Sequence, residues 1–496
     1  MTAGKICQAA KIEIPAASMS RYIPATIGPS HHFPTVADRF AGANGDAVTA
    51  AQQSSSNVAN AIGCLYLFFL FSHAIEFIDT TGRLHLIVVI AALASLAALG
   101  GGKLGFSFTS KPGICISVFT ALLILGIPFS AWSGGSFRSF IDLWWKSYLT
   151  FFLVSGLIFT VAQVRRALFV VAAASVGIVY VTLQATRDYV DGRISVEYGS
   201  LGNSNDLAGA LLMCLPFVIY VVLDKTRAAV IRLGFVGLIG LMLATVVKTG
   251  SRSALIVIAL MAAIMFFKVN AANKAKLLVV VAIVLCAAPF FVSKDLVARY
   301  STMFKSEVTS DMTDVASSAV LSTNARSQLQ KNGLLLTIRH PIFGVGLGNF
   351  VYQSANLQVA RGEAPLWFTC HNIFILISSE TGVLGFAFYM GIIIFALQIV
   401  LRIEKAAKLT SDLQGVPQMA FTIFMALIAF AASGFFGTNA YNMQMPAMIG
   451  LAVALDRITK PVLARAQEQR MAQFRQAIPV APSRYAGAAA SALTYR

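Results

Sequence analysis

Long apolar stretches recur along this chain of 496 residues. A helix needs about 20 apolar residues to cross roughly 30 Å of hydrocarbon, and many of these stretches reach that length. Hydrophobic residues make up 57% of the sequence and charged residues only 12%, about half the charged share of a soluble protein. No water-soluble fold of this size could bury so much apolar surface, so the sequence predicts a polytopic membrane protein.

The predicted fold is all-α, with about twelve transmembrane helices. We place them near residues 57–77, 84–101, 113–131, 148–164, 166–186, 205–223, 229–247, 253–270, 276–293, 381–402, 417–436 and 443–458. The fourth and fifth are separated by little more than Arg165-Arg166. The predicted regions are a tail (1–56), spans one to nine (57–293), a large, partly helical outer loop (294–371), spans ten to twelve (372–458) and a basic tail (459–496).

The charge distribution predicts the orientation of these helices. The chain has 38 Lys and Arg against 21 Asp and Glu, a net charge of +17. If both termini are cytoplasmic, cytoplasmic segments hold 24 basic and 8 acidic residues, and outer segments hold 14 and 13. This distribution obeys the positive-inside rule. The excess charge therefore indicates topology, and it gives no reason to expect nucleic-acid binding.

Two polar groups lie at the predicted outer ends of apolar helices. In the first, residues 249–254, Ser251 and Arg252 begin the eighth span. A guanidinium there suits phosphate binding, although a snorkelling arginine that anchors a helix end is an alternative. In the second, Asn203 and Asn205 precede the sixth span. They are equally well interpreted as helix caps.

Two further groups lie in or beside the large outer loop. Arg326 and Arg339 stand in a stretch of helical character, where an isolated arginine is more often simply solvated. His371-Asn372 precedes a helix that is too long for one crossing, because the 32 residues to Arg402 span roughly 48 Å. Roughly the first ten residues must therefore project above the bilayer, or lie along it after a bend near Gly382. A histidine at this edge is a natural general base, although a lone interfacial histidine is more often structural.

Two other histidines, His73 and His85, lie in apolar segments without matching partners. We interpret both as structural residues.

Together these segments resemble the bacterial O-antigen ligase and polymerase superfamily, and they are closest to the ligases. The ligase pattern His-[Asn/Ser/Gln]-x9-Gly-x2-[Gly/Thr/Tyr] is met by His371, Asn372, Gly382 and Gly385. The family's SR-x-A, G-x-x-N and HPIFGVGLGNF-like elements correspond to residues 251–254, 202–205 and 340–350. One element departs from the family, because Gln330 stands where its Arg-x3-Leu pattern would place leucine after Arg326.

The resemblance implies a GT-C-type glycosyltransferase of the bacterial inner membrane, with its active site facing the periplasm. The implied donor is a glycan on undecaprenyl diphosphate, and the implied acceptor is a sugar hydroxyl of lipid A–core in lipopolysaccharide synthesis. The family's reaction is inverting and needs no metal or other cofactor. By this resemblance His371 is the catalytic base, and Arg252 and Arg326 bind the diphosphate, with Arg339 as the alternative. The implied supporting residues are Asn372, Ser251, Asn203, Asn205, Gly382 and Gly385.

Two rival functions remain open at the level of sequence. A polymerase of the same superfamily would extend a lipid-linked O-antigen or exopolysaccharide from nearly the same donor site. A transporter of lipid-linked glycans would also suit twelve spans. Transporters, however, typically carry polar residues near mid-membrane on broken helices, often within repeats, whereas the candidate residues here cluster at the outer edge.

Overall fold

The chain is described by a computed structural model over residues 57–78, 86–100, 104–185, 193–196, 199–268, 274–275, 278, 294–302, 307–309 and 312–477. Within these residues the regular structure is helical and contains no β-strand, which confirms the all-α prediction. The predicted N-terminal tail, most of the predicted ninth span, His85 and the end of the predicted C-terminal tail lie outside the described residues.

The helices of the described residues are numbered in chain order. They are α1 (Asn57–Ser72), α2 (Ala74–Ile78), α3 (Leu86–Gly100), α4 (Leu104–Thr109), α5 (Lys111–Gly126), α6 (Ser133–Ser139), α7 (Trp145–Gly156), α8 (Val161–Ala185), α9 (Ser204–Leu223), α10 (Ala229–Lys248), α11 (Arg252–Lys268), α12 (Lys294–Ser301), α13 (Asp314–Arg339), α14 (Phe350–Ala360), α15 (Ile373–Ala407), α16 (Val416–Gly434) and α17 (Gln444–Ala477). Short turns of 3-10 helix lie at Ile127–Phe129, Gly199–Leu201 and Ser411–Leu413, and a π-helix lies at Phe140–Trp144.

Among the described helices, six are long and apolar enough to cross a membrane. They are α5 with the turn that follows it, α8, α9, α10, α15 and α16. Helices α1 and α3 are apolar but shorter. The chain is therefore an all-α polytopic membrane protein, and the figure of about twelve spans stays a prediction.

The boundary between the fourth and fifth predicted spans lies earlier than predicted. Helical structure runs without a break from α6 through the π-helix to Gly156, and α8 already begins at Val161. The hydroxyl of Thr160 accepts a hydrogen bond from the amide of Gln163 at 3.2 Å, which fixes the start of α8. Arg165 and Arg166 consequently lie inside α8 and do not separate two helices.

Helix α9 lies at the centre of the bundle. It packs against α8, α10 and α16, and most of its side chains are buried, including Phe217 and Val218. Its first turn is fixed by Asn203, whose side chain accepts a hydrogen bond from the amide of Asn205 at 2.9 Å. Because α9 is central, residues in its first turn face several neighbouring helices at one end of the bundle.

Helix α15 is broken at Gly382, where one of the two alternatives from the sequence places a bend. This glycine has φ 71° and ψ −175° inside an otherwise helical segment. A Cβ at this position would lie 2.4 Å from the carbonyl oxygen of Ile342, so only glycine fits both the backbone and the space. The segment before the break thus follows a different path from the long helix after it.

The turn at residues 340–349 fills the break. The amides of Val345 and Gly346 donate to the carbonyls of Ser379 and Glu380, at 2.8 and 3.0 Å. These bonds satisfy carbonyl groups that the interrupted helix leaves open. The glycine-rich 340–350 element and the Gly382 break therefore form one structural unit beneath the segment that carries His371.

Candidate functional site

His371 lies immediately before α15 in a left-handed backbone conformation with φ 49°, which is uncommon for a residue that has a Cβ. The next residue, Asn372, caps the helix, because its Oδ1 accepts hydrogen bonds from the amides of Phe374 and Ile375 at 3.0 and 3.2 Å. The imidazole is half-buried, and its Nδ1 has no hydrogen-bond partner among the described residues. That nitrogen is buried, and the half-buried ring leaves Nε2 as the nitrogen that can meet a ligand.

Arg326 lies near the middle of α13 and interacts electrostatically with His371. Burial, followed by the charges of Arg252 and Arg299, lowers the pKa of Arg326 to about 10, so it remains charged at neutral pH. Burial and the charge of Arg326 lower the pKa of His371 to about 4. The structure thus brings two sequence-predicted residues together as a cation beside a neutral imidazole.

Arg252 is the first residue of α11 and reaches across to the segment before α13 and to α13 itself. Its guanidinium donates to the carbonyl oxygen of Thr302 at 3.1 Å, to the hydroxyl of Thr323 at 2.6 Å and to the carbonyl oxygen of Ala319 at 3.2 Å. These bonds tie the start of α11 to α13, and they hold the charge of Arg252 close to that of Arg326.

Two further arginines join this pair, and the sequence did not identify either as a site residue. Arg193 donates from Nε to the carbonyl oxygen of Thr249 at 2.8 Å. Arg299 is buried and donates from Nε to the carbonyl oxygen of Gly250 at 3.2 Å. Burial, followed by the charges of Arg299 and Arg326, lowers the pKa of Arg193 to about 9. In the sequence, the only sign of their role is that they lie in the predicted outer segments, which together carry almost no net charge.

These four residues, Arg193, Arg252, Arg299 and Arg326, are called the arginine cluster. Like charges so close together destabilise the fold unless anions or hydrogen-bond acceptors compensate. The carboxylate of Asp206 interacts with Arg326, which offsets only part of the positive charge. Guanidinium groups match phosphate oxygens in pairs, and the amino terminus of α11 adds a favourable dipole. The arrangement is that of a binding site for a multiply charged anion.

Asn205 and Ser251 lie at the edge of the arginine cluster. The Oδ1 of Asn205 accepts hydrogen bonds from the hydroxyl of Ser251 at 2.8 Å and from Arg193 at 3.3 Å. Asn203, by contrast, uses its side chain to cap α9. Of these predicted supporting residues, Asn205 contacts both Arg193 and Ser251, whereas Asn203 only fixes the start of α9.

Three predicted residues lie away from the cluster. Arg339 is exposed at the end of α13, 13 residues and about 20 Å of helix beyond Arg326. Gly382 forms the break in α15. A Cβ at Gly385 would clash with the side chain of Thr381, one turn earlier in the same helix, and would make an ordinary contact of 3.6 Å with Phe119, so this glycine leaves room for the Thr381 side chain.

Glu380 lies buried just before the break in α15, and its carboxylate is fully hydrogen-bonded. It accepts from the hydroxyl of Tyr441 at 2.7 Å and from the amide of Phe350 at 3.2 Å. These bonds connect α15 to the start of α14 and to the connection between α16 and α17. Glu380 therefore braces the segment that carries His371, and an acidic residue in an apolar stretch was the signal that could have revealed it.

Comparison with known proteins gives one family. Residues 237–390, just under a third of the chain, match the family described as O-Antigen ligase. The matched segment includes Arg252, Arg299, Arg326 and His371, together with the break at Gly382. No curated protein matches the chain. Among the described residues, no group of three His, Cys, Asp or Glu side chains is placed to hold a metal ion.

Proposed function

We propose that this chain is a glycosyltransferase acting on lipid-linked glycans, because residues 237–390 match the O-antigen ligase family. It transfers a glycan from undecaprenyl diphosphate to a sugar hydroxyl of lipid A–core in lipopolysaccharide synthesis. The observation that carries this proposal is the arginine cluster beside the neutral imidazole of His371, whose Nδ1 has no hydrogen-bond partner among the described residues. The arginine cluster suits the departure of a diphosphate, and the imidazole suits the removal of a proton from a hydroxyl.

The arginine cluster stabilises the leaving diphosphate. When the bond between the anomeric carbon and the diphosphate oxygen breaks, negative charge grows on that oxygen, and prepositioned donors stabilise it. Arg326 makes no hydrogen bond to the other described residues, so its whole fork is open to phosphate oxygens. Arg252, Arg193 and Arg299 are already fixed by backbone carbonyls and supply surrounding charge. The proposed reaction uses no cofactor.

His371 acts as the general base. At neutral pH its imidazole is neutral, because burial and Arg326 lower its pKa to about 4. The imidazole takes the proton of the acceptor hydroxyl while the oxygen attacks the anomeric carbon from the side opposite the diphosphate. The new glycosidic bond forms as the bond to the diphosphate breaks, which inverts the anomeric carbon.

The proposed orientation puts the arginine cluster at the periplasmic face of the inner membrane and both termini in the cytoplasm. The opposite ends of the helices carry many basic residues, among them Arg165, Lys225, Lys268, Arg402 and Lys408. Basic residues concentrate on the cytoplasmic side. The proposed regions follow from this orientation, with residues 294–371 as a periplasmic segment that contains α12, α13 and α14.

A reconstitution assay tests the proposed function. Purified protein would be supplied with undecaprenyl-diphosphate-linked glycan and either lipid A–core or a second molecule of the same donor. We expect glycan on lipid A–core, detected by mass spectrometry. A product lengthened on the lipid carrier would instead identify a polymerase, and movement of unaltered donor across vesicle membranes would identify a transporter.

A further inference from the structure

A cavity of about 390 Å³ lies at the same end of the bundle as the arginine cluster. The end of α1, the first turns of α9, the end of α16 and the connection from α16 to α17 form its walls. Asn205 and Asp206 line it, and the same two residues interact with Arg193 and Arg326. The cavity and the arginine cluster are therefore neighbours that share the first turn of α9.

One wall of the cavity is a rigid polar network around His73. Its Nδ1 lies 2.9 Å from Oε1 of Glu76 and 2.9 Å from the hydroxyl of Ser200, and its Nε2 lies 2.9 Å from Nε2 of Gln444. The amide of Gln444 can only donate, so Nε2 accepts and Nδ1 carries the proton. The network joins residues 73, 200 and 444, and it fixes the carboxylate of Glu76 at the cavity.

Two buried polar atoms of the cavity residues have no partner among the described residues. They are Nδ2 of Asn205 and the hydroxyl oxygen of Ser433. Ser433 faces Gly209 across the cavity wall, where a Cβ on the glycine would lie 3.4 Å from the Cβ of Ser433. Buried polar atoms are nearly always paired. A small turn of either side chain would present this amide donor or this hydroxyl to a ligand that both accepts and donates hydrogen bonds, as a sugar hydroxyl does.

The charge of the cavity differs in sign from that of the arginine cluster. Glu76, Asp142 and Asp206 contribute carboxylates, while Lys146 contributes one ammonium group. Carboxylates repel a diphosphate, but they are good acceptors for sugar hydroxyls. The remaining walls are largely apolar, which suits the C–H faces of a sugar or the start of a lipid anchor.

We propose that this cavity binds the acceptor sugar, an inference that rests on the proposed function. The cavity and the arginine cluster share Asn205 and Asp206, so an acceptor sugar in the cavity and a diphosphate on the cluster are bound next to each other at one end of the bundle. Ile373, two residues after His371, also lines the cavity, so the segment that carries the base borders the cavity.

The test compares two glycine-to-leucine variants in the reconstituted transfer reaction. Gly209→Leu places a side chain in the cavity, and Gly237→Leu places the same side chain on α10, where a Cβ meets nothing within 4 Å. We expect Gly209→Leu to raise the KM for lipid A–core about tenfold and leave the donor KM within about twofold, as a filled subsite requires. Gly237→Leu should match the wild type in both.

Ser433→Ala provides a second variant that keeps the fold. Removing an unpaired buried hydroxyl should leave thermal stability unchanged or higher, while the acceptor KM rises about threefold. An unchanged acceptor KM in both cavity variants, or a rise in the donor KM instead, would overturn the proposal. If the wild type transfers no glycan to lipid A–core, the proposed function fails, and that failure is distinct from the variant results.

Discussion

The two polar regions that share the first turn of α9 have opposite electrostatic character. In one region four arginines converge, three of them fixed by carbonyl oxygens and one with an open guanidinium. In the other region carboxylates and uncharged amides line a cavity that is otherwise apolar. The contrast shows how one membrane face can bind an anionic lipid carrier and a sugar acceptor at separate places. Each region repels, or does not pair with, the ligand that the other region binds.

The largest effect should come from removing the base beside the arginine cluster. His371→Ala is expected to lower kcat by about 10³-fold, within the range for loss of a general base, while the KM for both substrates changes little. His340→Ala, at an exposed position of the same outer segment, is the matched control and should retain wild-type rates. Transfer at normal rates by the His371 variant would refute the assignment.

The arginine side of the comparison is tested by charge removal. Arg326→Gln should lower kcat/KM for the glycan donor by about 10²-fold, because a guanidinium directed at the negative charge that develops on the diphosphate is lost. Arg339→Gln, at the far end of the same helix, should stay within about twofold of the wild type. Initial rates at varied donor concentration measure both. Equal losses in the two variants would mean that the diphosphate lies elsewhere along α13.

The acidic side is tested by neutralising one carboxylate. Glu76→Gln keeps the shape of the side chain but weakens its pairing with His73 and Ser200. We expect the KM for lipid A–core to rise about threefold and the donor KM to remain unchanged. The opposite pattern would show that the cavity serves the donor.

The smallest effect concerns pH. Burial and Arg326 lower the pKa of His371 from its ordinary value of 6.5 to about 4. The imidazole is therefore already neutral at pH 5 and becomes protonated only as the pH falls through about 4. The acid limb of the kcat/KM profile, which reports free-enzyme groups, should lie near 4. In Arg326→Gln, residual activity should show this limb shifted upward, because one repelling charge is gone. A wild-type limb near 6.5 would contradict this electrostatic environment.

The sequence predicts the all-α fold, offers a bend near Gly382 as one of two alternatives, and identifies Arg326 and His371 as site residues, because each follows from a local pattern or a family motif. It does not predict Arg193 and Arg299 as members of the cluster, since they meet only where α10, α11 and α12 come together. His73 is interpreted from sequence as structural. Its partners Ser200 and Gln444 lie 127 and 371 residues away, and no local pattern can reveal contacts over such separations.

Inhibition by inorganic diphosphate tests the division of the site most directly. With donor varied at fixed acceptor, and then acceptor varied at fixed donor, initial rates of transfer to lipid A–core would be measured in the wild type and in Arg326→Gln. Diphosphate should compete with the donor alone, and Arg326→Gln should weaken that inhibition at least about tenfold. Competition with the acceptor, or equal inhibition of the variant, would contradict the assignment of the arginine cluster to the diphosphate.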